Sequence, residues 1–119
     1  MRLALLTIGI VAAAAPAADR RTPAATPAGK PQSCIPRSGI RQTLVRDDRT
    51  IDFVTRGKRI YRNVLPQSCP SLGFERRFGY ATSLSQLCST DIITVLTTAP
   101  LMRGASCGLG QFQPVTLTR

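Results

Sequence analysis

Four cysteines in a chain of 119 residues that contains no histidine limit the possible folds and functions more than any other feature. The cysteines are Cys34, Cys69, Cys88 and Cys107, and successive ones are separated by 35, 19 and 19 positions. A structural zinc site uses ligands paired about two to four residues apart, so this spacing disfavours a metal site. An even number of cysteines in a small exported domain indicates two disulfide bonds instead.

The pairing of these cysteines is open at this point, because four cysteines allow three connectivities. We expect Cys69–Cys88 and Cys34–Cys107, since the second bond would join the two ends of the folded region. On the loop-entropy model these bonds would contribute roughly 3 and 4 kcal/mol. A domain this small buries only about 60–65% of the surface of its unfolded chain, so its core alone leaves it marginally stable.

The N-terminal segment, residues 1–17, has the anatomy of a secretory signal peptide. A basic start at Met1-Arg2 precedes an uncharged apolar run over 3–14, and small residues follow at Ala15 and Ala17. The apolar run is shorter than the roughly 20 residues that span a bilayer, although an uncleaved anchor is the alternative. Cleavage after Ala17 would release an exported protein, periplasmic or extracellular, with no transmembrane segment.

Residues 18–33 are predicted to form a disordered tether. The segment contains Pro23, Pro27 and Pro31 among alanine, threonine, glycine and glutamine, and it has no apolar periodicity. Such a composition cannot bury enough surface to offset the entropy of ordering the chain. The folded unit is therefore expected to be a single β-domain over 34–117.

The strand pattern of this domain predicts a mainly β fold. Segments 40–45, 50–55 and 59–65 are separated by tight turns at Asp47-Asp48 and at Gly57, which indicates three antiparallel strands in sequence order. Further on, 71–78 can hold one helical turn, 80–82 and 86–88 resemble short strands, and 91–97 resembles a strand buried on both faces. A loop over 98–106 and a last strand over 107–115, bent at its glycines, complete a small antiparallel meander. The meander is expected to close into a sandwich or a partly open barrel held by two disulfides.

Several short motifs of this domain recur together in one group of proteins. They include Cys-Pro-Ser-Leu at 69–72 and Cys-Gly-Leu-Gly at 107–110, with further matching segments at 34–35, 47–51, 61–65 and 87–91. On these motifs the chain resembles a family of short exported proteobacterial proteins known only as a domain of unknown function. The resemblance implies an envelope location and implies that the shared cysteine, aspartate and tyrosine positions frame the fold. It implies no catalytic residue.

Enzymatic chemistry has little support in this sequence. The chain has no histidine to serve as a general base for its serines, and it lacks the glycine-rich motifs that bind nucleotides. No cofactor is expected and no catalytic residue is assigned. The sequence favours a non-enzymatic exported β-domain that acts as a binding or structural module in the cell envelope. The alternative is a small envelope enzyme that uses carboxylate chemistry, for which the candidate groups are Asp47, Asp48, Asp52, Glu75 and Asp91.

The positive charge is the remaining feature with functional content. The formal net charge is +10, and seven basic residues lie between positions 41 and 62. The candidate binding face consists of Arg56, Lys58, Arg59 and Arg62. Such a face suits an anionic envelope lipid, an acidic glycan or an acidic protein surface, while the alternative is a solvated face that only keeps the domain soluble. The few aromatic residues disfavour binding of single-stranded nucleic acid.

Overall fold

The computed structural model describes residues 22–82, 84–98 and 100–118, so the predicted signal peptide lies outside the described residues. The fold is mainly β, as predicted. The described residues contain ten strands: β1 (Ala25–Pro27), β2 (Cys34–Pro36), β3 (Ile40–Val45), β4 (Thr50–Thr55), β5 (Ile60–Val64), β6 (Phe78–Tyr80), β7 (Gln86–Cys88), β8 (Ile92–Leu96), β9 (Arg103–Gly108) and β10 (Phe112–Leu117). The expected helical turn is α1 (Leu72–Glu75), and short 3-10 turns occupy Arg37–Gly39 and Arg56–Lys58.

The largest sheet has five antiparallel strands in the order β1-β10-β5-β4-β3. Its centre is the predicted meander, in which β4 pairs with β3 on one side and with β5 on the other. In the part of the chain that the structure describes, β1 and β3 are the open edges of this sheet, so the sheet does not close into a barrel.

Two smaller sheets complete a sandwich-like fold. One consists of β2 and β7, and the other has the order β6-β8-β9. Phe53 of β4 joins the sheets, because its ring packs edge-on against Phe112 of β10 at 5.4 Å and against Phe78 of β6 at 6.4 Å between centroids. The core around these rings also contains Ile35, Ile51, Leu65, Leu72, Leu87, Ile93 and Val95, all fully buried.

The strand β8 buries one face, not the two faces that its apolar run suggested. Ile93 and Val95 are fully buried, whereas Ile92 is 57% exposed. Successive side chains of a strand point to opposite faces, and here only one of them faces the core.

The predicted last strand over 107–115 is in fact two strands in different sheets, and β9 begins inside the predicted loop over 98–106. The chain changes sheets at Gly110, whose amide donates to Asn63 Oδ1 and whose carbonyl accepts from Asn63 Nδ2, both at 2.7 Å. A Cβ at Gly110 would collide with the carbonyl oxygen of Val64, so only glycine fits this close approach. Asn63 is fully buried, and this amide pair gives its polar groups their partners.

Part of the predicted tether pairs with the largest sheet, so the folded unit begins before Cys34. Strand β1 pairs with β10 over Ala25–Pro27, and Gln32 exchanges two backbone hydrogen bonds with Phe112, of 2.8 and 2.7 Å. The compositional argument considered only side-chain burial. The segment is held instead by backbone hydrogen bonds to β10, whose N–H and C=O groups along this edge would otherwise have no partner in the sheet.

The two predicted disulfides are present, but the expected pairing was wrong. The bonds are Cys34–Cys88 and Cys69–Cys107, with Cα–Cα distances of 4.0 and 5.9 Å. Strands β2 and β7 place Cys34 directly opposite Cys88. The two cysteines form a non-hydrogen-bonded pair, and at such pairs the backbones of antiparallel strands lie closest together. The second bond ties the loop after β5 to β9. Pairing of β1 with β10, rather than a disulfide, brings the ends of the domain together.

Candidate functional site: a basic hairpin tip

The β4–β5 hairpin ends in an exposed basic turn that we call the tip, defined as Arg56, Lys58 and Arg59. All three residues are exposed. Gly57 and Lys58 have φ values of 78° and 63°, in the left-handed region that the sequence predicted for the glycine. The turn is closed by Thr55, whose amide and hydroxyl both donate to the carbonyl of Arg59, at 2.8 and 3.0 Å. These bonds fix the turn, so the tip presents its cations from a defined backbone.

A groove of about 490 Å³ lies between the tip and the segment 28–32. Its basic lining residues are Lys58 and Arg59 from the tip and Lys30 from the opposite wall. Of the remaining lining residues, Gln32 and Thr116 are polar, and the others are small or apolar: Ala28, Gly29, Gly57, Pro114 and Val115. The sequence analysis missed Lys30, because the ordering of its segment depends on backbone pairing with β10.

A second depression, of about 270 Å³, lies on the other side of the tip. Its lining includes Arg56, Arg59 and Tyr61, and Tyr61 is only 7% exposed. Arg59 therefore lines both depressions, and the cations of the tip are accessible from two sides.

Arg62 does not belong to this free basic face, contrary to the sequence prediction. Its guanidinium binds Asp52 in a bidentate arrangement, with Nε to Oδ1 at 2.8 Å and Nη2 to Oδ2 at 2.9 Å. Arg46 Nε binds Oδ2 of the same carboxylate at 2.9 Å. Asp52 is fully buried, and the β4–β5 register places it directly opposite Arg62. The positive charge of Arg62 is thus paired with a carboxylate within the sheet.

Two other candidate carboxylates, Asp48 and Asp91, serve local structure. Asp48 accepts a hydrogen bond from the amide of Gly73 in α1 at 2.7 Å, and Asp91 accepts one from the amide of Cys88 at 2.7 Å. Within 22–82, 84–98 and 100–118, acidic and cysteine side chains form no cluster of three that could hold a metal ion. The two pairs Arg46–Asp52 and Arg62–Asp52 are the ion pairs of these described residues.

Opposite charges lie at the two ends of β4. The turn with Asp47 and Asp48 precedes the strand and the basic tip follows it, so the whole six-residue strand lies between them. At about 3.3 Å per residue the distance is roughly 20 Å, about twice the Debye length of about 10 Å at 0.1 M salt. These carboxylates therefore do little to neutralise the tip.

Asp47 is expected to make the stability depend on acid pH. Partial burial disfavours the charged carboxylate and would raise the pKa of Asp47. Hydrogen bonds that Asp47 accepts from the Thr22 hydroxyl at 2.6 Å, from the Arg49 amide at 2.8 Å and from Thr50 outweigh burial and lower this pKa. A lowered pKa stabilises the fold above the unfolded pKa of about 3.9, and this contribution is lost as the pH falls through the lower folded value.

Urea unfolding of wild type and Asp47→Asn between pH 6 and pH 2 measures this contribution. The variant is expected to be less stable at pH 6, with the difference shrinking below about pH 4. Thr22→Val should reproduce part of the effect, and Thr22→Ser, which keeps the hydroxyl, serves as its control. A difference that stays constant down to pH 2 would exclude Asp47 as the titrating group.

Comparisons with known proteins gave no match, whether against models of protein families, characterised proteins or solved structures. The resemblance described above therefore stays a prediction. Over the described residues, no helix has the length and hydropathy needed to cross a membrane.

Proposed function

We propose that this protein is an exported, non-enzymatic binding domain and that the groove beside its hairpin tip binds an acidic glycan. The observation that carries the proposal is the convergence of Lys30, Lys58 and Arg59 on one groove. None of the three forms an ion pair with a carboxylate in the described part of the chain. The two disulfides are consistent with an oxidising compartment and thus support export.

The shape of the groove favours a glycan strand over a lipid surface. The groove is recessed, and its lining includes Gly29 and Gly57, which lack side chains that would hold a ligand away from the backbone. A strand with regularly spaced carboxylates can enter such a groove and meet cations on both walls, whereas a flat bilayer surface meets only the tip. Contacts of such exposed cations with carboxylates contribute only about 0.2–1 kcal/mol each, so binding requires several of them together.

The proposal is tested with polygalacturonate as the acidic probe and dextran as the neutral one. Calorimetry at low salt should show binding of wild type to polygalacturonate alone, and binding should weaken steeply toward 1 M salt. Arg56→Gln/Lys58→Gln/Arg59→Gln should weaken it at least tenfold, as should Lys30→Gln combined with Lys58→Gln. Unfolding midpoints should change little, because exposed charges contribute little to stability.

The matched control removes three charges elsewhere, in Arg76→Gln/Arg77→Gln/Arg103→Gln. This variant has the same net charge as the tip variant and should keep most of the affinity. Equal losses in both variants would show that only net charge matters and would favour the solvated-face interpretation. Absence of binding by wild type at low salt, or binding only to an acidic protein, would refute the glycan proposal.

A further inference from the structure

A second surface, at one end of the three-stranded sheet, combines exposed apolar and basic side chains. We call it the apolar end and define it as Phe74, Leu101 and Met102 with Arg76, Arg77 and Arg103. Phe74 is 85% exposed, Leu101 69% and Met102 58%. Single exposed apolar residues are ordinary, but a group of three large ones on a small domain indicates an interaction surface.

The strand register brings these residues to the same end of the sheet. The amide of Leu96, the last residue of β8, donates to the carbonyl of Arg77 at 3.0 Å, and Leu96 pairs with Arg103 on the other side. Arg77 follows α1, which carries Phe74 and packs against β8. The loop with Leu101 and Met102 connects β8 to β9 at this end.

The loop is held in place by its own hydrogen bonds. The hydroxyl of Thr97 donates to the carbonyl of Pro100 at 2.7 Å and accepts from the amide of Met102 at 3.1 Å. The amide of Thr97 also donates to the carbonyl of Met102 at 2.9 Å. Hydrogen bonds among Thr97, Pro100 and Met102 therefore constrain the backbone beside the exposed Leu101 and Met102, which lowers the entropic cost of docking.

The charge around these side chains selects the partner. Three exposed arginines flank them, against two neighbouring carboxylates: Glu75 in α1, and Asp48, which accepts a hydrogen bond from the amide of Gly73, so positive charge prevails at the apolar end. Apolar side chains that insert below the headgroups, with arginines at the level of the phosphates, are the combination that binds anionic bilayers. We propose that the apolar end docks this domain on an anionic lipid surface. The proposal is independent of the glycan groove, which lies on the five-stranded sheet.

A tryptophan reporter tests this directly, because the chain contains no tryptophan. Leu101→Trp should show a blue-shifted emission with vesicles of phosphatidylcholine and phosphatidylglycerol, and quenching by lipids brominated on their acyl chains. The matched control is Leu84→Trp, which replaces a side chain that is 61% exposed and lies beyond the opposite end of β6. The control should show neither change.

Sedimentation with the same vesicles separates insertion from charge attraction. Leu101→Ser/Met102→Ser leaves the net charge unchanged and should lower the partition coefficient at least tenfold, while Arg76→Gln/Arg77→Gln should lower it about fivefold per arginine at low salt. Polygalacturonate binding by both variants should match wild type. No partition of wild type, equal partition of the serine variant, or equal spectral changes at both reporter positions would overturn the proposal, whatever the result for the glycan.

Discussion

Replacing Asp52 with asparagine is expected to destabilise the protein by about 3–5 kcal/mol. Asp52 is fully buried, and its carboxylate accepts three hydrogen bonds, one from Arg46 and two from Arg62. Asparagine has nearly the same shape but no charge, so two largely buried guanidinium groups would lose their counterion. The free energy of unfolding of a typical domain is only about 5–15 kcal/mol, so a loss of this size is a large fraction of the total. The midpoint of urea unfolding should therefore shift to a much lower urea concentration. Urea unfolding monitored by circular dichroism measures the change.

A variant with all three charges removed is the control for this prediction. Arg46→Met/Asp52→Leu/Arg62→Met replaces the ionic group by apolar side chains and should be far more stable than Asp52→Asn, because no buried charge is left unpaired. If Asp52→Asn unfolds at the same urea concentration as wild type, the ionic group does not have the energetic role given to it here.

Loss of the Cys69–Cys107 bond is expected to cost about 4 kcal/mol on the loop-entropy model. The bond joins residues 38 positions apart and connects the loop after β5 to the three-stranded sheet. Cys69→Ala/Cys107→Ala removes it without leaving a free thiol, and thermal unfolding gives the change. Cys69 is fully buried, so the loss of its packing adds to the effect.

The pairing itself is checked on the wild-type protein. Alkylation under denaturing, non-reducing conditions should label no cysteine, and a non-reducing digest should yield the linked peptides Cys34–Cys88 and Cys69–Cys107. A linked peptide containing Cys69 and Cys88, or a labelled thiol in the exported protein, would contradict this framework.

The local part of the fold could be predicted from the sequence, because it depends on adjacent residues. The meander β3-β4-β5 follows from two turns, and the positive φ of Gly57 follows from its place between two strands. The same turn contained a signal that the sequence analysis did not use. Asp52 and Arg62 lie five positions before and after Gly57, so a hairpin centred there must pair them across the strands. Their ion pair was therefore predictable.

The non-local part could not be predicted in this way. The disulfide pairing depends on the meeting of β2 with β7, two strands of three residues whose paired cysteines lie 54 positions apart. The position of Lys30 depends on backbone pairing of a segment whose side chains carry no apolar pattern. Both features are set by which strand edges remain free after the meander forms, and no short sequence pattern contains that information.

Mapping of the binding site on the protein by nuclear magnetic resonance tests most directly the central claim, that an acidic glycan binds in the groove beside the tip. Polygalacturonate oligomers are titrated into the isotopically labelled protein at low salt while the backbone amide shifts are followed. We predict saturable shifts on both walls of the groove, at residues 29–30, 57–59 and 116, with little change on β6, β8 and β9. Shifts that are absent, or that centre on Arg76, Arg77 and Arg103, would contradict binding in the groove beside the tip.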